Sequence, residues 1–73
     1  MSTNISVTHR FGQRVRELRK ARQLSQEEFG DLCGLDRTYI SGIERGLRNV
    51  ALRNIEAISK ALDVSLAELF EEI

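Results

Sequence analysis

The stretch Leu24–Gly46, with the sequence LSQEEFGDLCGLDRTYISGIERG, decides the fold of this chain. Ser25 followed three residues later by Glu28 is a capping box, in which each side chain accepts a hydrogen bond from the other residue's backbone amide. Gly34 takes a left-handed backbone conformation without a side-chain penalty, so it ends the helix. Asp36 is a cap for a second helix. The stretch therefore predicts two short helices joined by a tight turn that contains glycine.

Apolar residues recur at helical spacing on both sides of this stretch, and no sustained alternation of the strand type occurs. One helix precedes the stretch, a fourth follows it, and Ser65 with Glu68 forms a second capping box that starts a fifth. The positions expected to face the core are Phe11, Val15, Leu18, Phe29, Leu32, Ile40, Ile43, Leu52, Ile55, Ile58, Ala61 and Leu62. The pattern predicts an all-α, compact five-helix domain, with residues 1–7 as a frayed tail.

The length and the charge distribution limit what such a domain can do. Its 73 residues suffice for a single domain over residues 1–73 and leave no room for a second, catalytic one. The net charge is zero, but residues 1–23 carry six basic side chains against one acid, residues 24–48 three against five, and residues 49–73 two against five. Such asymmetry is compatible with a nucleic-acid partner. The alternative is that the basic side chains form a solvated face of the first helix.

The residue types give no support to catalysis or metal binding. One histidine, His9, and one cysteine, Cys33, cannot form a zinc cluster, and neither a glycine-rich phosphate loop nor a nucleophile–base pair occurs. We therefore expect no enzymatic activity, no cofactor and no metal, with Cys33 as a small buried apolar residue. The single cysteine, the absence of a long apolar run and the polar start favour a cytoplasmic protein without a signal peptide or a membrane span.

The predicted third helix, residues 37–45, has an outer face suited to the major groove of double-stranded DNA. Arg37 can donate two hydrogen bonds to guanine, and Thr38 offers a hydroxyl together with a methyl group. Ser41 lies on the same face, although a helix carbonyl is an alternative partner for its hydroxyl. Gly42 is expected to keep the face flat, so that the helix approaches the groove closely. Ile40, Ile43 and the stem of Glu44 are expected to point inward.

A second group of residues is suited to phosphates of the DNA backbone. The starts of the second and third helices present free amides and the positive end of the helix dipole. Gln26 is placed to bind phosphate through its side chain, and Arg48 and Asn49 are placed to do so beyond the third helix. Tyr39 lies beside the outer face of that helix, and packing on the protein surface is the alternative to a DNA contact.

Two segments carry a resemblance to a known family. Residues 24–29, LSQEEF, and residues 36–46, DRTYISGIERG, resemble the second helix and the recognition helix of lambda repressor/Cro-like helix-turn-helix regulators, also called XRE-type. Together with Arg48 and Asn49, the pattern is similar to the controller proteins of restriction–modification systems, which are small cytoplasmic homodimers. The resemblance extends over residues 11–70.

The resemblance implies a lambda-repressor-like fold with the helix-turn-helix at residues 25–45, and it implies roles for individual residues. Arg37, Thr38 and Ser41 would contact base edges, while Gln26, Tyr39, Arg48 and Asn49 would contact phosphates or flanking bases. It also implies a structural ion pair between Arg19 and Glu44, which ties the first helix to the third. Such a pair supplies the partner that a partly buried Arg19 needs.

Dimerisation is expected because single helix-turn-helix modules bind DNA modestly, whereas two recognition helices reach successive major grooves of a pseudo-palindrome about 34 Å apart. We expect residues 64–73 to be the dimerisation segment. The expected interface residues are Leu52, Ile55, Val64, Leu66, Leu69, Phe70 and Ile73.

The sequence thus predicts a homodimeric transcription regulator, of the restriction–modification controller kind, that activates or represses its own promoter by contacting or excluding RNA polymerase. A phage-type repressor is one alternative. A DNA-binding antitoxin, whose C-terminal surface would neutralise a toxin protein, is another, and an adaptor that binds only proteins is a third.

Overall fold

A computed structural model describes residues 5–71 and residue 73 of the chain, and these residues form five helices and no strand. The helices are α1 (Val7–Ala21), α2 (Gln26–Cys33), α3 (Arg37–Glu44), α4 (Leu52–Leu62) and α5 (Leu66–Leu69). The prediction of an all-helical, five-helix domain is confirmed. The third helix ends one residue earlier than predicted, because Arg45 is its cap.

Side-chain caps start four of the five helices. Both capping boxes are formed, and the hydrogen bonds from the amides and hydroxyls of Ser25 and Ser65 lower the pKa of Glu28 and Glu68. Ser6 caps α1 by accepting a hydrogen bond from the amide of His9. The predicted frayed tail, residues 1–7, is therefore too long, because Ser6 is the cap of α1 and Val7 is its first residue. Residues 1–4 of that tail lie outside the described residues.

The helices α1, α2, α3 and α4 each end in the same type of hydrogen-bonded turn. Each turn contains one residue with a positive φ, namely Gln23 (60°), Gly34 (74°), Gly46 (77°) and Asp63 (57°). In each turn this residue and the next one donate backbone hydrogen bonds to carbonyls three and five residues earlier, respectively. This is the Schellman motif, which satisfies the last carbonyls of a helix. The connections are consequently short, and they fix the angle between successive helices.

The core lies where α3 packs against α1 and α2, and where α4 packs against α2 and α5. Its buried apolar side chains are Phe11, Val15, Phe29, Ile40, Ile43, Ile58, Leu62 and Leu69. Three predictions fail here. Leu52 was expected to face the core, but it is 76% exposed at the start of α4. Leu69 was expected at a dimer interface, but it has no exposed surface, because the short α5 turns it into the core. Leu32 was expected to face the core, but 60% of it is exposed, since Phe29 and the half-buried Cys33 fill the inner side of α2.

The close contact between α1 and α3 depends on Gly12. A Cβ atom at this position would lie 2.1 Å from the carbonyl oxygen of Ile43 and 2.9 Å from that of Glu44. Both obstacles are backbone atoms of α3, so a side chain at this position would force the two helices apart. Gly12 therefore sets the distance at which α1 supports α3.

We expect Gly12→Ala to lower the free energy of unfolding by about 2–3 kcal/mol, in the upper range for overpacking. Urea denaturation followed by circular dichroism measures this change. The matched control is Gly34→Ala, which meets no atom within 4 Å and is opposed only by its positive φ, at a cost of about 1 kcal/mol. A Gly12→Ala variant no less stable than the Gly34→Ala variant would show that the helices tolerate a wider separation.

Candidate nucleic-acid interface

The outer face of α3 presents polar side chains that make no hydrogen bond to other described residues. Asp36 caps the helix by accepting a hydrogen bond from the amide of Thr38 at 2.8 Å. Arg37 and Thr38 are exposed in the first turn, and Ser41 is half-buried one turn later. Within residues 5–71 and 73, the side chains of these last three residues make no hydrogen bond, which includes the carbonyl bond considered for Ser41. Their donors and acceptors are therefore free for a ligand.

Arg48 folds back from the loop onto α3. Its guanidinium carbon lies 5.4 Å from the centre of the Tyr39 ring, a cation–π geometry. A Cβ atom on Gly42 would lie 3.1 Å from Arg48 Nε and 3.2 Å from its Cγ. The prediction that Gly42 keeps the face open for the groove is therefore wrong, because the stem of Arg48 covers this glycine. Tyr39 packs its ring partly against the core and partly beneath Arg48.

Gln26 stands between the outer surface and a buried ion pair. Its Nε2 donates a hydrogen bond of 3.1 Å to Glu44 Oε1, and the side chain is half-buried. A carboxamide nitrogen has two hydrogens, so one donor remains for a phosphate oxygen. The amides of Gln26 and Glu27 lie at the start of α2, where no helical carbonyl precedes them. The expected phosphate contact is thus compatible with the observed hydrogen bond.

The Arg19–Glu44 pair is buried and has two parallel hydrogen bonds. Arg19 Nε lies 2.6 Å from Glu44 Oε2, and a second guanidinium nitrogen lies 3.0 Å from Oε1. The third nitrogen of Arg19 donates to the carbonyl of Leu24 at 2.7 Å. Together with Gln26, these contacts fasten the start of α2 and the end of α3 to α1. The orientation of the outer face of α3 follows from this network.

The basic side chains of α1 are only partly available to an anionic ligand. Arg14 donates to the carbonyl of Glu68 at 2.7 Å and lies 3.6 Å from the carboxylate of Glu71. Arg10 donates to the carbonyls of Ile5 and Ile73. Sequence reasoning missed this role, because all of these contacts except Arg10 to Ile5 join residues more than fifty positions apart. The uneven charge along the chain therefore serves folding as well as any interaction with DNA.

The last third of the described chain carries an exposed apolar surface. Leu52 is 76% exposed, Leu66 43% and Phe70 40%, and Leu52 and Leu66 line one groove with Arg53 and Glu56. Phe70 also stacks on Phe11 of the core, with ring centres 5.4 Å apart. Three of the residues expected at an interface, Ile55, Val64 and Ile73, are half-buried against the core. Leu69 contributes nothing to this surface.

A comparison with protein families matches residues 15–69 to the family described as helix-turn-helix. This segment contains α2, α3, α4 and α5 complete, together with residues 15–21 of α1. The chain belongs to the helix-turn-helix family. The membership agrees with the fold and with the resemblance in residues 24–29 and 36–46.

Relatives within the helix-turn-helix family match almost the whole chain. The chain is 51% identical over 72 residues to the control protein C.BamHI of Bacillus amyloliquefaciens, with 97% of this chain and 86% of that protein covered. It is 52% identical over 65 residues to the control protein C.MunI of a Mycoplasma species, with 88% of each covered.

A solved structure of the same family has this fold. The restriction–modification controller protein C.AhdI of Aeromonas hydrophila is 56% identical and superimposes with a TM-score of 0.84, covering 86% of this chain and 96% of that one. The prediction of a lambda-repressor-like fold of controller type is confirmed.

The described part of the chain offers no support for a metal site or a membrane span. Residues 5–71 and 73 contain no group of three or more metal-ligating side chains and no helix long and apolar enough to cross a membrane. Cys33 is half-buried rather than fully buried, and desolvation raises the pKa of its thiol to about 11. At neutral pH it is therefore a protonated, weakly nucleophilic thiol.

Proposed function

We propose that this chain is a sequence-specific, DNA-binding transcription regulator of the restriction–modification controller kind. The observation that carries the proposal is the outer face of α3, where Arg37, Thr38 and Ser41 have no partner among the described residues. The relatives named control or controller proteins support the regulatory part, because the chain covers most of their length. Nothing in this function requires catalysis, a cofactor or a metal.

Base recognition would come from the first turns of α3. Arg37 would donate two hydrogen bonds to O6 and N7 of guanine, and Thr38 would place its methyl group against thymine. Ser41, one turn further, would hydrogen-bond to a base edge. The Asp36 cap and the Arg19–Glu44 pair support this arrangement, because together they fix where α3 begins and how it is rotated.

Phosphate contacts would hold this helix in register. Gln26 and the first amides of α2 would bind the backbone on one side of the groove, and Arg48 and Asn49 on the other. The Arg48 side chain is already held in place by the Tyr39 ring and by its packing over Gly42, so it loses little conformational freedom when it binds phosphate. Such contacts contribute affinity without sequence preference.

A homodimer would bind the two halves of a pseudo-palindrome, and its interface would be the exposed apolar surface of α4 and α5. Leu52, Leu66 and Phe70 supply its accessible apolar area, with the partly buried Ile55, Val64 and Ile73 beside them. The acidic residues of the last third keep this surface away from phosphate and leave the α3 face for DNA. The two recognition helices would then enter successive major grooves.

We expect Leu52→Glu to convert the dimer into a monomer without loss of fold. Leu52 is the first residue of α4, where a carboxylate favours the helix, but two buried charges would oppose each other across the interface. Dimer affinity should fall roughly 100-fold or more. Sedimentation velocity at tens of micromolar measures it, with the similarly exposed Leu32→Glu on α2 as control. A monomeric wild-type protein, or a Leu52→Glu protein that stays dimeric, would contradict this interface.

The regulatory effect would follow from where the dimer binds. At its own promoter it would activate by contacting RNA polymerase or repress by excluding it, and its location would be the cytoplasm. A reporter gene fused to the upstream sequence of its own gene tests this, since expression should change with the dose of wild-type protein but not of Arg37→Ala protein. Co-purification of a small protein with the C-terminal surface would instead favour an antitoxin.

A further inference from the structure

The turn that ends α3 differs from the other three Schellman turns, because its apolar residue is exposed instead of packed against the core. In each Schellman turn, the residue after the positive-φ position is apolar: Leu24, Leu35, Leu47 and Val64. This position usually makes an apolar contact with the end of its own helix. Leu24, Leu35 and Val64 pack against the core, whereas Leu47, after α3, is 65% exposed.

The different environment of Leu47 has a local cause. The residue six positions before the apolar one is itself apolar at the ends of α1, α2 and α4, where it is Leu18, Phe29 and Ile58. At the end of α3 the same position is Ser41, and the next position, Gly42, is covered by the stem of Arg48. Leu47 therefore has no apolar neighbour of its own helix to pack on.

The surroundings of Leu47 indicate what it contacts. It lies between the exposed Arg45 and Arg48, at the opposite end of α3 from Arg37. The eight residues of α3 span about 12 Å, which is also roughly the width of the major groove. With the start of α3 at the base edges, the turn after its end reaches the wall of the groove. That wall consists of phosphates, which attract the two arginines, and of deoxyribose rings, whose C–H surfaces are apolar.

We propose that Leu47 packs against deoxyribose of the DNA backbone and contributes affinity that depends on neither salt nor sequence. The inference rests on the DNA-binding function proposed above and adds one contact residue to it. A neutral side chain displaces no condensed counterions, so removing it leaves the salt dependence of binding unchanged. Removal of a phosphate-binding arginine, by contrast, lowers that dependence.

The test is to measure duplex binding of wild-type, Leu47→Ser and Arg48→Ala proteins by fluorescence anisotropy at several salt concentrations. We expect Leu47→Ser to bind on the order of fivefold more weakly per half-site, as for partial burial of a leucine side chain. Its log–log salt slope should equal the wild-type slope, and the loss should be the same on matched and mismatched duplexes. Leu32→Ser is the control, because it removes a similarly exposed leucine from α2.

Three results would overturn this proposal: unchanged affinity of Leu47→Ser, a change in its salt slope, or a change in its sedimentation that assigns Leu47 to the dimer interface. Thermal unfolding of the variant, expected at the wild-type temperature, shows that the fold is retained. If the wild-type protein binds no duplex, the proposed function itself fails. If wild-type binding depends on Arg37 but not on Leu47, only the present inference fails.

Discussion

Replacing Glu44 by alanine is expected to lower the free energy of unfolding by about 3–5 kcal/mol, because it leaves the buried guanidinium of Arg19 without its counter-charge. Arg19 is 8% exposed, and two of its three nitrogens hydrogen-bond to Glu44. Water cannot replace these bonds at a buried position. A domain of this size has a stability on the order of 4–11 kcal/mol, so the substitution removes a large part of it.

The loss extends beyond the pair itself. Glu44 Oε1 also accepts the hydrogen bond from Gln26, so its removal loosens the start of α2 as well as the junction of α1 and α3. Replacing both charged residues by apolar ones of similar volume, as in Arg19→Met with Glu44→Leu, should restore part of the stability, because no unpaired charge is then buried. DNA affinity should not recover in that double variant, since the Gln26 side chain remains without its acceptor.

Urea denaturation of the Glu44→Ala variant measures this effect. Arg22→Ala is the control, because Arg22 pairs with Asp63 at 3.4 Å on the surface. An exposed pair of this kind contributes up to about 1 kcal/mol. A Glu44→Ala protein as stable as the Arg22→Ala protein would show that the Arg19–Glu44 pair does not hold α1 to α3.

Replacing Arg37 by alanine is expected to abolish discrimination between guanine and other bases at one position of each half-site. A bidentate arginine–guanine contact is worth about 1–3 kcal/mol, which corresponds to roughly 5- to 150-fold in affinity. A symmetric dimer loses this contact twice, so the total loss on the preferred duplex is the square of that factor. On duplexes that already lack this guanine, the variant should bind nearly as well as the wild-type protein.

Competition binding with a preferred duplex and with single-base variants measures this discrimination. Arg48→Ala is the matched control, because it removes an exposed arginine from the same face. That variant should bind all duplexes more weakly by a similar factor and lower the salt slope by about 1 per protomer. A uniform loss for Arg37→Ala would place its guanidinium on a phosphate instead of on a base.

Local sequence signals were sufficient to predict the helices and their order. Ser25 with Glu28 and Ser65 with Glu68 form the expected capping boxes, and Gly34 ends α2 in the left-handed conformation. Signals of this kind succeed because the hydrogen bonds they describe join residues at most a few positions apart. The Arg19–Glu44 pair spans 25 positions, and the family resemblance supplied it instead.

Burial and long-range contacts were the less predictable part. Leu32 and Leu69 both fit an apolar helical stripe, yet one is exposed and the other fully buried, because the packing angles of α2 and α5 decide which side of each stripe is covered. The cover of Gly42 by Arg48 depends on how the loop after α3 folds back. The exposed Leu47, in contrast, has a sequence signal in the polar Ser41 six positions before it.

Selection of bound duplexes from a random pool by the wild-type protein tests the central proposal most directly. We expect the enriched sequences to contain two copies of one half-site, related by a two-fold axis and spaced by about one helical turn or a multiple of it. Each half-site should contain a guanine that is no longer enriched when Arg37→Ala protein is used. Enrichment of no sequence, or of the same sequences by both proteins, would contradict base recognition by α3.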